Sequence, residues 1–142
     1  MSFAWETISA AASFRSLAPW LTVASSSYIA FEYCGSTFYI HNEGGWSSPV
    51  LIKADRTNPV AVRIAPSNDV MIAHLDGTTA RCLVLSWNGR AYVVGTEYTI
   101  TTSVNEIGGL VLLPNGKVLV AYVSSAGAVE TMTSSDGGVT WA

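Results

Sequence analysis

One pattern recurs three times along this chain, and that recurrence restricts the folds open to it more than any other feature. Long runs with the two-residue period of a strand occupy residues 27–34 (SYIAFEYC), 69–76 (DVMIAHLD) and 117–124 (KVLVAYVS). A shorter apolar segment precedes each, at 20–24 (WLTVA), 60–66 (VAVRIAP) and 109–114 (GLVLLP), rich in residues that suit a pleated, half-buried surface. A polar turn follows each long run, Gly35-Ser36, Asp76-Gly77-Thr78 or Ser125-Ala126-Gly127, and leads into a third strand over 37–42, 80–87 or 128–134. That strand ends in turn at Gly44-Gly45, Asn88-Gly89 or Asp136-Gly137-Gly138, where glycine tolerates the positive φ of tight hairpins. An aromatic residue comes next each time, Trp46, Tyr92 or Trp141. Fourth strands are predicted over 47–52 and 93–100, while the third copy reaches Ala142 without one.

No segment holds a 3.6-residue apolar period between caps, and Pro and Gly punctuate the chain every few residues, so the predicted class is all-β. Four short antiparallel strands in a repeat of roughly 40 to 50 residues describe one blade of a β-propeller. The chain reads as a single domain over 1–142, with a closing strand and linker at 1–18 and blades at 19–58, 59–104 and 105–142. A β-trefoil monomer, which also has three repeats of four strands, is the structural alternative.

Residues 134–141 read Ser-Ser-Asp-Gly-Gly-Val-Thr-Trp, and this stretch resembles the Asp-box, or BNR, repeat S/T-x-D-x-G-x-T-W of sialidase-like β-propellers. The carrying positions are Ser134, Asp136, Gly138, Thr140 and Trp141. An Asp side chain can accept hydrogen bonds from the backbone of its own turn while the aromatic folds beneath the hairpin, so the box is a folding staple. The resemblance implies that it joins the third and fourth strands of a blade, away from the ligand face, and that Asp136 is structural. Residues 86–92 keep a Ser, an Asx, a Gly and an aromatic, whereas 41–46 keep only the glycine turn and Trp46.

A three-blade chain is too short for a ring, because propellers close with about four to eight blades. Two chains supply six. The third blade then takes its outer strand from residues 3–8 (FAWETI), which leads to the expectation of a homodimer in which this segment completes the partner's blade.

Composition narrows the function. Seven Lys and Arg against ten Asp and Glu give a net charge of −3, which offers no field for a nucleic-acid backbone. Hydrophobic residues make up 49% and charged residues 12%, which points to self-association rather than disorder. The apolar stretch before residue 25 has no basic residue ahead of it and is interrupted by Glu6 and Arg15, so it reads as mature, soluble protein made in the cytoplasm without a signal peptide; no membrane span is expected. Cys34 and Cys82 are predicted to be free, buried thiols.

A search for chemistry finds no carrier. His41 and His74 stand singly, without metal-ligand spacing, and no cofactor or metal is expected. Glu32, Glu43, Glu97, Glu106 and Glu130 show no spacing that pairs two of them, and most are predicted to be solvated. Arg63, in VRIAP, is a loose echo of a sialidase arginine motif with an inserted alanine. In propellers of the resembled type, ligands approach the face made by inter-blade connections and second-to-third-strand turns. The residues predicted there are Arg15, Trp20, Arg56, Asn58, Arg63, Asp76, Asn105 and Glu106. The expected function is a non-enzymatic structural or adhesion module, such as a virion surface or spike component or a lectin-like glycan binder. Its partners would be a second copy, glycans or other virion proteins. A sialidase-like glycoside hydrolase fragment is the alternative.

Overall fold

The computed structural model describes residues 16–23, 26–33, 36–42, 50–54, 56–64, 67, 69–88 and 92–142, through residue 50 for the backbone alone. Strands dominate, and there is no helix among the described residues. They form three antiparallel sheets, each made of strands consecutive in the chain. The first holds β1 (Ser16–Val23), β2 (Ser26–Tyr33), β3 (Ser36–Asn42) and β4 (Val50–Lys53). The second holds β5 (Thr57–Ile64), β6 (Asp69–Asp76), β7 (Thr79–Trp87) and β8 (Tyr92–Thr101). The third holds β9 (Val104–Leu112), β10 (Val118–Ser124) and β11 (Val129–Ser134), in the order β11-β10-β9. The closing segment expected at residues 3–8 lies outside the described residues, as do Arg15 and Cys34.

The all-β class is therefore observed, and β6 coincides with the predicted 69–76. The first strands of the repeats start earlier than the predicted apolar segments, β1 at Ser16, β5 at Thr57 and β9 at Val104, because the ladder to the long strand carries on beyond them. At β5 the extension costs a bulge, where Asn58 takes a left-handed φ of 51° ahead of Pro59.

The second sheet is covered on both faces, which explains why β6 reads as an almost continuous apolar run. Val70 and Ile72 join Leu83, Leu85 and Tyr92 in one core cluster, with Ala61 and Trp87 packed against it. Met71, Ala73 and Leu75 point the other way and build a larger cluster with Cys82, Ile100, Ile107, Val118, Val120 and Tyr122. That cluster binds the second sheet to the third. The first sheet meets the second along β5. Gly95 fits at the bulge of the β7–β8 pair, where an added Cβ would lie 2.7 Å from the carbonyl oxygen of Val84.

Candidate functional site

Two polar networks stand at opposite ends of the sheets. The first is the turn after β11. Ser134, paired with Val118 at the start of β10, donates its hydroxyl to Asp136 Oδ1 at 2.8 Å and accepts the Gly138 N–H at 2.8 Å. Asp136 also accepts the N–H of Val139 at 3.1 Å, the N–H of Thr140 at 2.9 Å and the Thr140 hydroxyl at 2.6 Å. These donors favour the charged carboxylate, Thr140 most strongly, and hold Asp136 down to about 2. Gly137 and Gly138 take φ values of 76° and 93°. Gly138 is also pressed against the second sheet, since an added Cβ would lie 2.9 Å from both Cys82 Sγ and Met71 Cε. Trp141 folds back to donate its indole N–H to the Gly138 carbonyl at 2.9 Å and packs on the larger core cluster. Every polar atom of the Asp136 carboxylate is thus used by its own turn.

In the corresponding turn of the second sheet, residues 89–91 lie outside the described residues. Trp87 and Tyr92 flank it with ring centroids 5.0 Å apart, and the Trp87 N–H is capped at 2.9 Å by Asp69 Oδ1, from the start of β6. Asp69 thus reaches the end of β7 from another strand, a contact that spacing within residues 86–92 does not reveal. The turn at 43–49 in the first sheet lies outside the described residues.

The second network lies at the end of the β6–β7 hairpin. Register places His74 opposite Arg81, Arg81 opposite Thr99, Asp76 opposite Thr79 and Leu83 opposite Glu97, so these polar side chains share the face of the second sheet that carries Val70 and Ile72. His74 is fully buried, with Nε2 2.9 Å from Glu97 Oε1. Arg56 donates to Asp76 Oδ1 at 2.9 Å and brings its Nε within 3.9 Å of the same Glu97 oxygen. Arg81 donates to the Thr99 hydroxyl at 2.7 Å and lies 3.6 Å from Asp76 Oδ2. Two carboxylates therefore converge on Arg56. Glu97 is an exception to the expectation that most of the glutamates are solvated, because its side chain is only 14% exposed. The sequence hides this convergence because its members span residues 56 to 97 and meet only through the pairing of four strands.

On the other face of the same sheet Cys82 is a free, buried thiol, pushed up to about 12 by burial and by the Glu97 charge. It belongs to the core, as predicted. Glu130 is exposed, in line with the expectation that most glutamates are solvated, and accepts the Tyr122 hydroxyl at 2.9 Å.

Of the residues predicted on the ligand face, the structure brings five to this end. Arg56 and Asp76 are joined, Asn58 sits at the β5 bulge one register step from them, and Asn105 and Glu106 are exposed at the start of β9. Two backbone bonds fasten the loops together: the Val104 N–H to the Thr78 carbonyl at 2.8 Å, and the Ser125 N–H to the Ser103 carbonyl at 2.7 Å. Arg63 does not join them. It pairs with Val70 near the far end of β5, because an antiparallel strand separates its two ends by its whole length. Trp20 lies within β1 opposite Tyr28 rather than in a loop. In the turn between β9 and β10, the Asn115 side chain accepts the Lys117 N–H at 3.1 Å. No group of three or more His, Cys, Asp or Glu placed to hold a metal occurs among the described residues, and no helix there is long and apolar enough to cross a membrane.

Neither a protein-family model nor a curated protein matches the chain, so its own geometry carries the functional reading.

Proposed function

We propose that this chain is a non-enzymatic adhesion or structural module built from three propeller-type blades of the Asp-box kind, which uses the loop end of its sheets to bind glycans. A second copy supplies three more blades, residues 3–8 complete the third sheet of the partner, and the assembly serves as a virion surface or spike component. The observation that carries the binding role is the tied loop end. Thr78, Ser103, Asn105, Glu106 and Ser125 are exposed there on connections held by main-chain bonds between two sheets, and a rigid polar platform loses little entropy on binding. The Asp-box turn stands at the opposite end, where the resemblance would put it. Each sheet draws its strands from a single repeat, which suits stacked blades better than a trefoil barrel, in which repeats share ladders.

One observation favours the hydrolase alternative: Asp76 and Glu97 converge on Arg56 beside the loop end. Their engagement with Arg56, Arg81 and His74 supports a structural role instead. A glycan array tests the proposal directly. Wild-type protein should retain a defined set of glycans, and Asn105→Ala with Glu106→Ala should weaken retention at least tenfold without altering the fold. Turnover of a fluorogenic sialoside by wild type, abolished in Asp76→Asn, would overturn it in favour of the hydrolase.

A further inference from the structure

The repeat that aligns β6 with β10 sets Met71, Ala73 and Leu75 at the same positions as Leu119, Ala121 and Val123. The two trios have the same chemistry and different surroundings. Met71, Ala73 and Leu75 are at most 3% exposed because the third sheet covers them. Leu119, Ala121 and Val123 are only half-buried, for they point away from the second sheet.

Register shows how far this face extends. Leu119 pairs with Val111 and Thr133, Ala121 with Gly109 and Thr131, and Val123 with Val129 and Glu106. Val111 is 47% exposed and Val129 79%. Within β9, β10 and β11 the face is apolar or neutral but for Glu106 at its loop-end margin, and Lys117 precedes β10 at the opposite margin. Its chemistry matches the side of the second sheet that is buried within the chain.

We infer that this outer face of the third sheet is an interface for a second copy of the chain, and that it receives the partner's β1–β4 sheet. The inference rests on reading the three sheets as successive blades and goes beyond it by naming the surface. Inside the chain, the Met71-Ala73-Leu75 side of the second sheet is closed by the sheet that follows it in the row. The equivalent side of the third sheet continues that interface, and the sheet that begins the row is β1–β4. About a two-fold axis the contact is made twice, third sheet to first sheet in each direction, so that two copies close on themselves. The apolar run of β10, Val118 to Val123, then has the same cause as that of β6, a strand covered on both sides.

Light scattering on the full chain across a concentration series tests this, with Val129→Glu, Thr131→Lys and a control, Val93→Glu. Val129 and Thr131 are exposed and add no core packing, so both variants should fold with the wild-type circular dichroism spectrum. Val93 is 51% exposed on β8, away from this face. The expected result is a wild-type and Val93→Glu mass about twice 15.0 kDa, falling to about 15.0 kDa in both interface variants. A wild-type mass of 15.0 kDa throughout the series overturns the inference, as does a wild-type mass retained by both interface variants. The array reports separately on adhesion: a dimer broken by Val129→Glu but binding no glycan upholds the interface and removes the binding role.

Discussion

The two polar networks of this molecule solve the same problem, how to satisfy charge at the end of a sheet, by opposite means. In the Asp-box turn, every donor to Asp136 comes from within four residues of it, so the network forms as soon as the chain turns. At the loop end, His74, Asp76, Arg81 and Glu97 come from β6, β7 and β8, and Arg56 from just ahead of β5. Asp76 and Arg81 meet across one hairpin, but Glu97 reaches His74 and Arg56 only when the strands of the sheet are paired. The local network can act as a folding signal. The dispersed network is a consequence of folding, and it holds a fully buried histidine that would be costly without its carboxylate.

The contrast can be broken at several points. The largest effect is expected where the local turn meets the tertiary core: Gly138→Val forces a side chain into a φ of 93° and onto Met71 and Cys82, and should cost about 4 kcal/mol in urea unfolding. A loss under about 1 kcal/mol would mean that the turn moves off the second sheet. Next, Glu97→Leu should cost about 3 kcal/mol by stripping His74 and Arg56 of their shared partner. The double variant His74→Leu/Glu97→Leu should recover part of that loss, and the cycle of the two tests whether they act as one unit.

A pH series separates the networks further. The folded value of Asp136 lies below its ordinary 3.8, so its contribution to stability is present above about 4 and is lost as pH falls through about 2. The melting-temperature difference between wild type and Asp136→Asn should hold steady from neutral pH down to about 4 and close toward 2. A difference that disappears near neutrality would assign it to another group. The smallest effect belongs to Arg81→Ala, whose side chain is 32% exposed, with a loss under about 1 kcal/mol.

The legible parts of the fold share a physical trait. Strand alternation, glycine turns and the Asp box all lie within a few residues of chain, where side-chain period and backbone conformation act directly. Asp69, by contrast, caps the end of β7 from 18 residues away, and nothing in its spacing set Glu97 apart from the other glutamates until register brought it beside His74. Arg63 errs in the other direction. Its motif suggested a ligand residue, yet seven residues of extended chain carry it away from Arg56.

By itself, then, the sequence determined an all-β chain of three repeated antiparallel units, the sites of its main turns and the local staple after β11, because each depends on conformations a short segment prefers. Tertiary structure alone decided which face each sheet buries, which carboxylates share an arginine, and which loops are fastened into one end. Those outcomes depend on register and on the stacking of one sheet against another, and both join residues that the sequence keeps far apart.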